Sequence, residues 1–219
     1  MNKRFDFDKQ NILNFDYLLG TDEAGRGPGA GPVFAAAVCF KNIDTKLKKQ
    51  LDKLNDSKQL SGKIREELFE IIIKNSVYSI TQGSVKDIEK YNILRTSLNS
   101  MNLACSEIIS KLDKKNVLVL VDGNKKIPDF KFNQQTIIKG DYKSASIAAA
   151  SILAKVSRDR FMKELDKRFP QYGWAENKGY MTKFHLEAVD KYGLTEWHRK
   201  KFFEKHFQKA EQLSLLNFN

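Results

Sequence analysis

Leu18 to Phe40 read LLGTDEAGRGPGAGPVFAAAVCF: an apolar run, two adjacent carboxylates, a glycine-studded loop and a second apolar run. An apolar segment entering a Gly-rich turn is the signal of a buried strand, which puts Asp22 and Glu23 at or just past a strand end. Side chains alternate across a strand, so the two acids serve one site only if the chain bends there; Gly25, Gly27, Gly29 and Gly31 supply that freedom. Pro32 to Phe40 has bulky residues at both ends and no capping residue, which predicts a second strand and a hairpin-like pair. The loop also satisfies G-x-G-x-x-A over Gly25 to Ala30, with Asp44 roughly where a dinucleotide site keeps its ribose-binding acid. Two carboxylates directly before the loop would repel a pyrophosphate, and a strand rather than a helix follows, so the dinucleotide reading is set aside.

The whole chain narrows the partner. Its 219 residues can bury one substantial core, so one domain plus an appendage is the default. Lys and Arg number 38 against 27 acids, a formal charge of +11, which favours an anionic partner, and nucleic acid over membrane. No stretch approaches the roughly 18 uncharged apolar residues of a spanning helix, and the opening MNKRFDFDKQ lacks the apolar core of a signal peptide. Cys39 and Cys105 stand in apolar settings with no metal-ligand spacing and read as buried thiols of a reducing compartment, so a cytoplasmic location is expected.

Along the chain, residues 1–16 read as a polar lead-in, and Lys41 to Leu54 as a lysine-rich connection holding a short surface helix. Asp56, Ser57 or Ser61 caps a helix with the apolar face Ile64, Leu68, Ile71 and Ile72. Val77 to Val85 alternates as a third strand, and Asp87 to Leu112 keeps helical spacing over its whole length. Val117 to Val121, β-branched and uncharged, is the clearest buried strand, and it ends on Asp122-Gly123-Asn124. An acid at the end of a central strand projects over the sheet edge, where open α/β folds put their chemistry; an ordinary Asp-Gly turn is the competing reading. Thr136 to Ile138 gives another short strand, and Ala145 to Lys167 a helix whose small residues allow close approach to the sheet. Asp141, one turn earlier, suits the N-terminus of that helix. Lys155, Arg158 and Arg160 lie on its polar face, as structural charges or as contacts to a nucleic acid.

The string DEAGRGPGAGPV resembles the signature of type II ribonucleases H, and so do D-S-K-x-L-S from Asp56, the strand-D-G-N context of Asp122, and GDYKSASIAAASILAKVSRDRFM from Gly140. The likeness spans residues 17–203 with its motifs in order. It implies an α/β, ribonuclease H-like fold: a mixed central sheet of about five strands flanked by helices, catalytic over residues 17–168, with a small helical substrate-recognition region over 169–219. It implies an enzyme that cuts the ribonucleotide-containing strand of RNA–DNA hybrids and single ribonucleotides embedded in duplex DNA, in DNA repair and replication. The catalytic carboxylates would be Asp22, Glu23, Asp122 and Asp141. Four converging carboxylates repel one another unless cations sit among them, and all-oxygen ligands select hard ions, so Mg²⁺ or Mn²⁺ in a two-metal site is implied. The resemblance further assigns Gly25, Arg26 and Gly27 to the ribose 2′-hydroxyl and Tyr180 to stacking on the neighbouring sugar. Lys58 reads as a phosphate contact or as an ordinary helix-entry lysine, and Arg199 first as a structural residue, with a phosphate contact as the other reading. Met181 stands where the family usually has glycine; if that position needs a positive φ, methionine would strain the loop or shift Tyr180. His185 and His198 read as structural. The tail resembles the short peptide by which bacterial repair proteins bind the sliding clamp, with Gln212, Leu213, Leu215 and Phe218 as anchors; a plain amphipathic helix end is the other reading. A duplex-binding protein that retains the scaffold without catalysis is the alternative from a different class.

Overall fold

The computed structural model describes residues 3–54, 57 and 59–216, with side chains described as far as residue 208; Lys58, Asp56 and Phe218 lie outside these residues. Strands β1 (Tyr17–Ala24), β2 (Val33–Cys39), β3 (Val77–Gly83), β4 (Val117–Asp122) and β5 (Asn133–Ile137) form one sheet in the order β3-β2-β1-β4-β5. The hairpin-like pair is antiparallel, as is β2 with β3, whereas β1 with β4 and β4 with β5 run parallel. The sheet is therefore mixed and five-stranded, as the resemblance implied. One detail of register positions the chemistry. Thr21 stands beside Val121, so Asp22 and Asp122 leave neighbouring parallel strands at the same edge.

Helices cover both faces, which is why β2 is buried along its whole length and β4 at every position before Asp122. Five described helices precede β4 in the chain: α1 (Lys3–Asn11), α2 (Thr45–Gln50), α3 (Gly62–Asn75), α4 (Val85–Tyr91) and α5 (Ile93–Ser110). After β5 come α6 (Gly140–Lys143), α7 (Ala145–Arg168), a 3₁₀ turn (Pro170–Tyr172), α8 (Trp174–Asn177), α9 (Lys183–Tyr192) and α10 (Lys200–Leu216). On one face α7 packs with α3 through Leu68, Ile72, Ile152 and Leu153; on the other α5 packs Met101, Ala104 and Ile108 against Leu19 and Val119. The close approach predicted for α7 is real: a Cβ on Gly20 of β1 would lie 2.2 Å from the Ile147 nitrogen. A third core joins the far half of α7, through Met162 and Leu165, to Tyr172, Trp174, Val189 and Phe203 of the C-terminal region.

Several expectations change. The polar lead-in is largely the helix α1, docked through buried Phe5 against Phe40 and through buried Asp8. Asp44, the ribose-acid candidate of the discarded dinucleotide reading, caps α2 by accepting from the Leu47 amide at 2.7 Å. The single helix predicted over 87–112 is two, α4 and α5, because Asn92 takes φ 71° and restarts the helix by accepting from the Arg95 amide. Ile138 falls outside β5 and is exposed. The cap of α7 is Ser144, not Asp141.

Candidate active site

Asp22 is 6% exposed, and its Oδ1 accepts the Glu23 amide at 2.7 Å. Burial above all, and then the Glu23 and Asp122 charges, raise its carboxyl well above the usual carboxylate range. Glu23 pairs with Arg26, Oε1 to guanidinium 3.2 Å. Asp122 accepts the Gly140 amide at 2.7 Å, which ties the end of β4 to α6 and so sets where Asp141 stands. From the other side, Arg4 of α1 donates to the Asp141 carbonyl at 2.9 Å. All four carboxylates line one cleft of about 420 Å³, together with Gly25, Arg26, Gly27 and Tyr180. Among the described residues, no three His, Cys, Asp or Glu groups are gathered tightly enough to grip one ion as they stand. The donor set is nonetheless all oxygen, and Asp22 is a buried acid faced by two others, an arrangement that suits a hard cation.

Among the other lining residues, Arg65 and Ser151 carry no signal of their own in the sequence, Ser57 reads there only as a helix cap, and Lys155 only as a charge on the polar face of α7. Ser57 and Ser151, hydroxyls 2.9 Å apart, close the floor, and Arg65 of α3 donates to the Ser57 carbonyl at 2.8 Å. Lys155 lines the cleft while paired to Asp159 at 2.7 Å. Arg160 lies away from it, paired with Glu66 and Glu70.

Of the two readings of Arg199, the burial fits the structural one. It is fully buried, and its donors end on the carbonyls of Gly25, Arg26, Pro28 and Gly31 at 2.7 to 3.2 Å, which leaves none for a phosphate. Arg158 is likewise buried and bonded to carbonyls.

Tyr180 is 48% exposed at the rim. The strain anticipated at Met181 is absent: the positive φ values in this loop belong to Lys178 and Gly179. His185 and His198 are buried with ring nitrogens 3.1 Å apart. Trp174 donates its indole N–H to His185 Nε2, so His185 carries its proton on Nδ1 and donates it to the Tyr180 carbonyl at 2.9 Å. Burial lowers both imidazoles, His198 to about 3, which keeps the pair neutral and structural. In α10, Gln212, Leu213 and Leu215 are helical positions beyond the described side chains.

A mixed sheet that delivers carboxylates from β1 and β4 to one edge, beneath a glycine loop in a basic chain, defines a nuclease of the ribonuclease H-like fold. The sequence model of the ribonuclease HII family matches residues 19–210. A ribonuclease HII of Pelagibacter ubique is 52% identical over 187 residues, 84% of this chain and 95% of that one. A ribonuclease HII of Fusobacterium nucleatum is 46% identical over 201 residues, 91% and 92% of the two chains. Among solved structures, ribonuclease HII in its complex with PCNA from Archaeoglobus fulgidus superposes with a TM-score of 0.67 at 27% identity, over 84% of this chain and 93% of that one. The chain belongs to the ribonuclease HII family, hydrolases that act as endoribonucleases on RNA–DNA hybrids.

Proposed function

We propose that the chain cuts the ribonucleotide-containing strand of hybrids, and of duplex DNA holding a single ribonucleotide, on the 5′ side of the ribonucleotide. The products are a 3′-hydroxyl and a 5′-phosphate. The observation that carries this reading is a buried Asp22 facing Glu23 and Asp122 in a cleft whose rim is the Gly25–Gly27 loop and exposed Tyr180. Asp22, Glu23, Asp122 and Asp141 would hold two Mg²⁺ or Mn²⁺ ions. When bound, such a pair supplies an activated water and a counter-charge at the leaving oxygen. The chain's own groups bind and orient. Asp22 is fixed by the Glu23 amide, and Asp122 by the Gly140 amide. Half-exposed Arg26 reaches a flanking phosphate, and Lys58 another. The 2′-hydroxyl, the group that marks a ribose, is read by the backbone of Gly25 to Gly27, and Tyr180 stacks on the following deoxyribose.

On this reading residues 17–168 are the catalytic domain and 169–219 the recognition region, working in the cytoplasm on ribonucleotides left in DNA by replication. The Archaeoglobus protein is a ribonuclease HII bound to PCNA, which supports a clamp-binding role for Gln212, Leu213, Leu215 and Phe218. The test is a labelled duplex carrying one ribonucleotide, incubated with Mg²⁺ or Mn²⁺ beside an all-DNA duplex and an Asp122→Asn variant. A single cut 5′ of the ribonucleotide, slowed roughly a thousandfold in the variant, is the expected result, equivalent to about 4 kcal/mol of transition-state stabilisation. Binding without cutting under both metals would sink it and leave a duplex-binding scaffold.

A further inference from the structure

We infer that Arg158 and Arg199 are positioning residues that lock the Gly25–Gly31 loop and the Tyr180 loop into one reading unit, on which selection of a single embedded ribonucleotide depends. The inference rests on the roles proposed above for Gly25 to Gly27 and Tyr180.

Two guanidiniums, 1% and 0% exposed, lie beneath the glycine loop, and among the described residues neither makes an ion pair. A buried charge needs partners, and here they are backbone carbonyls. Arg158 donates to Ala30 and Pro32 on one side and to Lys178 on the other, at 3.0 to 3.1 Å. It thus spans both loops. Arg199 takes Gly25, Arg26, Pro28 and Gly31. The loops also meet directly, since the Gly29 and Ala30 amides donate to the Gly179 carbonyl at 2.9 and 3.2 Å.

A trans peptide points its N–H opposite to its C=O. Turning the Gly25 and Arg26 carbonyls in toward Arg199 therefore turns the Arg26 and Gly27 N–H groups out. Among the described residues those two amides meet no protein acceptor, as donors kept for a ligand would. The glycines leave room for the device: a Cβ at Gly25 would sit 2.1 Å from Arg158 Nε, and one at Gly179 2.5 Å from the Ala30 carbonyl oxygen. Burial lowers Arg158 to about 10 and Arg199 to about 9, so both stay charged at neutral pH. Lysine keeps the charge and loses the planar fork, and cannot satisfy carbonyls spread over two loops.

The test compares Arg158→Lys and Arg199→Lys with the parent, in the full chain, on a duplex carrying one ribonucleotide and on a continuous RNA–DNA hybrid. On a continuous hybrid every position offers a ribose, so slack between the loops matters less. We expect kcat/KM at the single ribonucleotide to fall at least tenfold further than on the hybrid, on the order of a hundredfold in all. Cooperative unfolding and Mn²⁺ binding by calorimetry should be retained. An equal loss on both substrates, or none, would overturn the inference. Should the lysine variants not fold, hydrogen exchange in the parent decides: peptides covering 25–31 and 177–182 should open at one rate, and separate rates would refute the coupling. A parent that cuts neither substrate would instead sink the proposed function, with the exchange result still deciding the coupling.

Discussion

Asp8→Asn isolates the cost of one buried charge. Asp8 of α1 accepts the amide and hydroxyl of Ser146 at the start of α7, both at 2.8 Å, through Oδ2, while Oδ1 has no hydrogen-bond partner among the described residues. Burial pushes its carboxyl from the ordinary 3.8 up to about 6, against the opposing pull of the serine bonds. Between about pH 4 and 6 the folded state keeps a proton that the unfolded chain has released, so stability falls as pH rises through that window. The rise from 3.8 to about 6 corresponds to about 3 kcal/mol. Asparagine keeps the acceptor and removes the titration. Relative to the parent, the variant should therefore gain about 3 kcal/mol between pH 4 and pH 7, a difference of roughly 6–12 °C in Tm for a chain this long. Urea unfolding of both proteins at half-unit pH steps, without divalent cations, measures it. Other titrating groups cancel in the difference. Stability curves that run parallel across the window would refute the reasoning.

Mg²⁺ or Mn²⁺ should raise the Tm of the parent, and Asp22→Asn should lose most of that rise together with cleavage; equal stabilisation of both proteins would place the ions elsewhere. Tyr180→Ala should lose about 1–3 kcal/mol of stacking, read as a drop of about five- to 150-fold in kcat/KM at single ribonucleotides, with Mn²⁺ affinity unchanged in calorimetry. Deleting residues 211–219 should abolish sliding-clamp binding in a pull-down or titration and leave hydrolysis intact; equal clamp affinity with and without the tail excludes that role.

The central motif was legible because its residues contradict their surroundings. Acids at the ends of apolar strands and glycines between two strands have few uses, and β1, β2 and β4 came out close to where the pattern put them. The Ser61 cap was readable for a similar local reason. What escaped was decided at long range. Helix α1 is nearly all polar, and only the docking of Phe5 and Asp8 against distant residues fixes it. The break at Asn92 depends on a positive φ that no periodicity reveals. Arg199 read as structural or as a phosphate contact, and nothing local in the sequence separates the two. Its burial depends on carbonyls of a loop 168 to 174 positions earlier in the chain, turned inward by folds of the backbone that composition does not encode.

That separation has a consequence for biosynthesis. The strands bearing Asp22 and Asp122 can pair as soon as they are made, but the loop at 25–31 acquires its supports only when Lys178, Gly179, Trp197 and Arg199 arrive. Synthesis runs from the N-terminus, so those supports are the last to be made. A nascent or prematurely ended chain would therefore hold the carboxylates of a nuclease without the supports of its Gly25–Gly31 loop, which arrive only over the last fifth of the sequence.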